Sequence, residues 1–141
     1  MTPRPLLALL AAALLAGCAS TYQYVPLPDQ GKTVEDPAKA RIYIVRPSAL
    51  ASAMPLWVTD GTQLIGMTGT CGYLCWERPP GDATIKSEVD DRTATLPLKT
   101  EAGGVYYVLQ HNLITHFKLS LLTEQEGKQA LTKCKPPQIA K

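Results

Sequence analysis

From Ala40 onward the chain is written in short apolar runs roughly ten residues apart, each closed by residues that favour turns, a spacing that suits strands and leaves no room for helices of ordinary length. The runs cover 41–46, 56–59, 63–67, 73–77, 83–89, 93–99, 105–110 and 116–122. They predict an all-β fold, a single antiparallel β-sandwich of seven to eight strands. Between the second and third runs stands Thr59-Asp60-Gly61-Thr62, and Asp-Gly between apolar runs predicts a tight hairpin whose two central residues take positive φ. Ala83, Ile85, Ser87 and Val89 alternate with Thr84, Lys86 and Glu88, and Ala94, Leu96 and Leu98 alternate with Thr95 and Lys99, so these two strands have one wet face. Residues 42–45 and 105–109 are apolar on both faces, which predicts central strands. Pro97 cannot donate to a ladder and places its strand at an edge. Thr123 and Glu126 form a capping box for one short C-terminal helix, with Ala130 and Leu131 as its apolar face and Pro136 and Pro137 beyond it. Gly127 weakens that helix, which is expected over one end of the sandwich.

The 141 residues, 45% hydrophobic and 18% charged, suit one globular domain. Fourteen Lys and Arg against twelve Asp and Glu leave a net charge of +2 without clusters, which argues against nucleic acid as a partner.

Ahead of this domain, Arg4 is followed by Leu and Ala alone from Leu6 to Ala16. Eleven residues rise about 16 Å as a helix, roughly half of a hydrocarbon core, so the run reads as the apolar part of a secretory signal and not as a membrane span. The next residues, Leu14-Leu15-Ala16-Gly17-Cys18, resemble the lipobox of bacterial lipoproteins. The resemblance implies cleavage between Gly17 and Cys18, a diacylglycerol on the Cys18 thiol, and further acylation of the new amino group by a long chain such as palmitate. The alternative is an ordinary cleaved leader with Cys18 incidental. At about 0.8 kcal/mol per buried methylene, two or three such chains make the anchor effectively permanent. The residue after Cys18 is Ala19, not aspartate. In a Gram-negative source the resemblance then implies the outer membrane, facing the periplasm.

Residues 19–39 carry Pro26, Pro28 and Pro37 and no sustained period, and read as a tether spanning roughly 25 Å root-mean-square. A second reading adds Tyr22, Tyr24 and Val25 to the domain as an edge strand. The expected organisation is a signal peptide over 1–17, a lipidated N-terminus and tether over 18–39, and a β-sandwich domain over 40–141.

The order 40–47 (Ala-Arg-Ile-Tyr-Ile-Val-Arg-Pro), Thr59-Asp60-Gly61, Pro79-Pro80-Gly81 before a strand, and Gly103-Gly104-Val105-Tyr106-Tyr107 resembles a group of small bacterial lipoproteins whose shared domain is of unknown function. In plan it is similar to PEGA-type surface domains and to the prealbumin-like sandwich of carboxypeptidase regulatory domains. The resemblance covers about residues 39–134 and departs from the pattern at Asp82, where a basic residue is common, and at Cys71 and Cys75. It implies a fold and an address, with no catalytic residue and no cofactor.

Chemistry-bearing residues are few. With Cys18 lipidated, Cys71, Cys75 and Cys134 remain, and an exported chain meets an oxidising compartment. Four residues of extended strand put Cα atoms about 13 Å apart, beyond the roughly 7 Å a disulfide tolerates, so the favoured Cys71–Cys75 pairing needs a tight turn at Gly72. A bond to Cys134, or none, stays open. A rival assignment joins the three cysteines with His111 and His116 in a zinc or copper(I) site, or makes a cysteine–histidine pair thiol-active. Two ordinary surface histidines beside a disulfide are the simpler account. Asp90-Asp91-Arg92 reads as a polar turn before it reads as a cation loop. Trp57, Trp76, Tyr73, Tyr106 and Tyr107 either fill the core or form a binding face, and with Phe117 as the single phenylalanine at least some of them are expected inside. No hydrolase elbow, zinc-protease helix or phosphate-binding loop is written in the chain. The expectation is therefore a non-catalytic, lipid-anchored interaction or structural module of the cell envelope, engaging envelope protein or polysaccharide; the alternative is a metal-binding or thiol-active envelope protein.

Overall fold

The structure, a computed structural model, describes residues 20–48, 54–113 and 115–141. Gly17 and Cys18, with the whole leader, lie outside the described residues. The chain is mostly β-strand with one short helix, and the strands form two sheets. In chain order they are β1 (Tyr22–Gln23), β2 (Ala40–Arg46), β3 (Leu56–Asp60), β4 (Gln63–Thr68), β5 (Gly72–Arg78), β6 (Gly81–Val89), β7 (Arg92–Thr100), β8 (Val105–Asn112), β9 (Phe117–Leu122), helix α1 (Glu124–Leu131) and β10 (Gln138–Ile139). One sheet runs β10-β1-β4-β3-β6-β7 and the other β5-β2-β8-β9.

The eight apolar runs coincide with β2 to β9, and the two-residue strands β1 and β10 come in addition. The expectation of antiparallel pairing throughout is corrected in two places. β2 and β8 run parallel with Arg41 opposite Val105, and β1 and β10 run parallel with Tyr22 opposite Gln138. Alternation reports which face a residue takes and is silent on strand direction, so a parallel central pair reads the same as an antiparallel one.

β2 and β8 are the two inner strands of their sheet, as residues apolar on both faces require. β7, which carries Pro97, is an edge. At the β3–β4 hairpin Asp60 faces Gln63, so the central residues are Gly61-Thr62 and only Gly61 has positive φ, at 58°. That is the pattern of a turn with glycine first, one residue later than Asp-Gly pairing suggests.

The main core lies between the sheets: Ile42, Ile44, Leu74, Trp76 and Val108 from one meet Val58, Ile65, Ala83, Ile85 and Leu98 from the other. Burial of each large side chain contributes about 1.5–3 kcal/mol, which makes this cluster the dominant favourable term. A second cluster, Tyr43, Val45, Tyr73, Cys75 and Tyr107, lies on the opposite face of the smaller sheet, packed with Ala130, Leu131 and Cys134. Helix α1 therefore covers a sheet face, not an end. Its capping box is formed, with Thr123 accepting from the Glu126 N–H and Glu126 from the Thr123 N–H. Gly127 is where helix and sheet touch, since a Cβ there would lie 2.1 Å from the Tyr107 ring.

Candidate functional site

Residues 20–39 do not hang free. Thr21 is buried, its hydroxyl accepting from the Gly69 N–H at 2.9 Å and its carbonyl from Gln138 N–H at 2.9 Å. Gln23 is fully buried, and its amide reaches the edge of β5. The next stretch is held by the ion pair of Arg41 and Glu77 at 3.0 Å, both side chains nearly out of water. Arg41 also donates to the carbonyls of Lys32 at 2.7 Å and Asp29 at 3.0 Å, and Glu77 accepts from the backbone N–H groups of Glu35 at 2.5 Å and Asp36 at 3.1 Å. Burial pushes the Glu77 carboxyl upward, but those N–H groups and the guanidinium outweigh it and hold it below the ordinary carboxylate range. The tether expected over these residues is thus a strap fastened at both ends, and the edge-strand reading of Tyr22 is the one the fold takes.

Cys71, Cys75 and Cys134 are free. Cys71 has a φ of 52° and lies just before β5, with Sγ 3.6 Å from the Pro47 carbonyl. β5 is already extended and paired at Gly72, opposite Arg46, so the tight turn that a Cys71–Cys75 disulfide needs is absent and that pairing is corrected. Cys75 is buried beneath the 27–30 stretch, where burial raises its thiol to about 11. Cys134 follows α1, and burial raises its thiol to about 11 as well. His111 lies in β8 opposite Lys118, and His116 precedes β9 with Nδ1 3.1 Å from the Thr115 hydroxyl. Among the described residues no three His, Cys, Asp or Glu side chains gather as a metal site would require, so the ligand set of the rival assignment is not assembled. Asp90-Asp91 is the β6–β7 turn, with Asp90 at a φ of 52°.

Among the aromatics, Tyr73, Trp76 and Tyr107 are core. Tyr106 is half-buried, its hydroxyl accepting from the Glu101 N–H at 2.9 Å. Trp57 is different. It is 38% exposed and stacked on Tyr24, 47% exposed, with ring centroids 6.3 Å apart and planes 18° from parallel. Across the larger sheet Trp57 is opposite Met67, and Met67 opposite Tyr22, so these three share one face. Leu64, also exposed, lies in β4 opposite Thr59, two pairs along the same hairpin.

Three hollows lie among the described residues near these groups. The largest, about 840 Å³, is a shallow depression along the polar side of α1, bounded by Glu124, Lys128 and Thr132. A cleft of about 420 Å³ runs between the strap and Trp76 and Glu77. One of about 200 Å³ holds Ser20, Thr21, Cys71, Lys135 and Gln138, at the point where the described chain begins.

Sequence reasoning did not single out Arg41, Glu77, Gln23 or Gln110. The readable signal was Arg41 and Arg46 bracketing an otherwise apolar strand; both are fully buried, Arg46 donating to the carbonyls of Met54 at 2.7 Å and Thr68 at 2.9 Å. Gln110 links Thr68 at 2.5 Å with Ser87 at 2.7 Å inside the core. Satisfied groups of this kind fix a core's geometry without implying chemistry.

Among the described residues no helix is long and apolar enough to cross a membrane. No protein-family model matches the chain. It is similar to an uncharacterized protein of Haemophilus influenzae, 28% identical over 131 aligned residues covering 86% of this chain and 77% of the relative. A solved structure, the NMR structure of a protein from Eubacterium rectale, aligns with 70% of this chain and 98% of its own at 12% identity and a TM-score of 0.43.

Proposed function

We propose that this is a lipid-anchored β-sandwich lipoprotein of the cell envelope, a non-catalytic module that holds an interaction surface near the bilayer for an envelope protein or polysaccharide. The observation that carries this reading is the run Leu6 to Cys18, a charged start, an apolar stretch of signal length and a lipobox-like close. Two sheets enclosing a shared apolar cluster, with strand faces accounted for by hydrophobic alternation, agree with the sandwich. The resemblance to small lipoproteins and to PEGA-type domains points the same way. If the source is Gram-negative, Ala19 after the lipidated cysteine favours the outer membrane, on its periplasmic side.

The test is intact-mass measurement on protein extracted from its own membranes, alongside Cys18→Ala. A chain beginning at Cys18 and heavier by two or three acyl chains, with the variant released from the membrane fraction, is the expected result. An unacylated mature chain in the soluble fraction would overturn the reading.

A further inference from the structure

We infer that the edge of the fold carrying β1 and β10, together with the Tyr22–Tyr24–Trp57 face beside it, rests directly on an anionic bilayer surface. This deepens the proposed function and rests on the lipidation of Cys18.

Thr21 is locked into the fold by its hydroxyl and its carbonyl, and only Ala19 and Ser20 separate it from Cys18. Three backbone steps extend at most about 11 Å. A domain with a fixed residue that close to an acylated sulfur cannot stand clear of the headgroups. Whatever surface surrounds Thr21 meets them.

Ser20 and Thr21 share their hollow with Lys135 and Gln138. The segment 132–141 places Lys133, Lys135 and Lys141 in solvent and contains no acidic side chain. Basic residues are attracted to an anionic leaflet, and the attraction is confined to within a Debye length of the surface. The local excess of positive charge thus sits at the anchoring edge of a chain that is nearly neutral as a whole.

The row Gln138–Tyr22–Met67–Trp57 crosses β10, β1, β4 and β3 in register and places these side chains on one face, with Tyr24 stacked on Trp57. Trp and Tyr, with an apolar body and a polar tip, favour the level of the lipid headgroups. Glu88, next in the row, is paired with Lys86 at 3.1 Å, so that end is close to neutral. Helix α1 lies on the other sheet and leaves this face open.

The test uses the mature acylated protein in vesicles of phosphatidylcholine and phosphatidylglycerol whose acyl chains are brominated near the headgroup. Trp57 and Trp76 are the two tryptophans, and Trp76 is buried, so Trp57→Phe supplies the background. The expected result is loss of the Trp57 share of the emission, absent in Trp57→Phe and weakened by Lys133→Gln, Lys135→Gln and Lys141→Gln together or by high salt. Unquenched Trp57 emission from protein whose mass shows acyl chains on Cys18 would overturn the docking and leave the anchoring intact. Quenching by soluble glycan fragments with the brominated lipids silent would assign the aromatic face to polysaccharide and also overturn it. Protein without acyl chains would bring down both.

Discussion

The side-chain amide of Gln23 and the backbone of Cys75 exchange two hydrogen bonds, Nε2 donating to the Cys75 carbonyl at 2.7 Å and Oε1 accepting from its N–H at 2.9 Å. β5 is an edge strand, and here a side chain from the other sheet stands in for the missing neighbour. A few residues earlier, Lys135 continues the same edge, its N–H donating to the Cys71 carbonyl at 2.7 Å. Gln23→Leu removes both amide partners and leaves buried backbone groups unpaired. The expected cost is about 2–3 kcal/mol, read as a lower midpoint in urea with an unchanged slope.

The Arg41–Glu77 pair carries a pH signature. The folded Glu77 carboxyl lies below its ordinary value of 4.5, so its contribution to stability is complete above that value and is lost as the pH falls through the depressed folded value. Glu77→Gln removes that acid-side loss and costs stability at neutral pH, on the order of 3 kcal/mol for a buried pair broken on one side. Because Glu77 also holds the N–H groups of Glu35 and Asp36, the variant should be nicked by protease within 29–36 sooner than the parent.

Gly127→Ala is a test in which two rules disagree. Helix propensity alone favours alanine by about 1 kcal/mol. The Cβ, however, would sit 2.1 Å from the Tyr107 ring, and overpacking of this kind costs about 1–3 kcal/mol. A lower melting temperature is expected, and a higher one would mean that α1 does not lie against Tyr107.

Native thiol labelling addresses the cysteines. With its thiol raised to about 11, Cys75 is ionised to roughly one part in a thousand at pH 8 and is also shielded from solvent. It should label only as fast as the protein opens, with a large acceleration in denaturant. Rapid native labelling of Cys75 would contradict its placement beneath the strap.

Much of this fold was legible because hydrophobic pattern reports burial directly. Residues 42–45 could only be covered on both sides, Pro97 only at an edge, and Thr123 with Glu126 could hardly be other than a helix start. Partners were not legible. Nothing in the spacing of 40–46 and 105–112 distinguishes a parallel from an antiparallel neighbour. A glutamine among prolines looks like linker until the edge it satisfies is known. Gly127 read as a weakness in the helix because the ring it accommodates comes from a strand elsewhere in the chain. For the candidate site, Trp57 was weighed as core or surface without resolution, since a strand's outward positions show their company only when registers are fixed.

The parallel pairing of β2 with β8 has a consequence for the order of folding. Residues 47–104 separate the two strands, so β2 waits with one side of its ladder open until nearly the whole domain is available. Closing so large a loop is slow in topological terms, because its entropy is lost before the contacts that repay it are made. A chain emerging amino-terminus first cannot complete the smaller sheet until Val105 and beyond have appeared, and the open side of β2 is exposed to aggregation until β8 arrives.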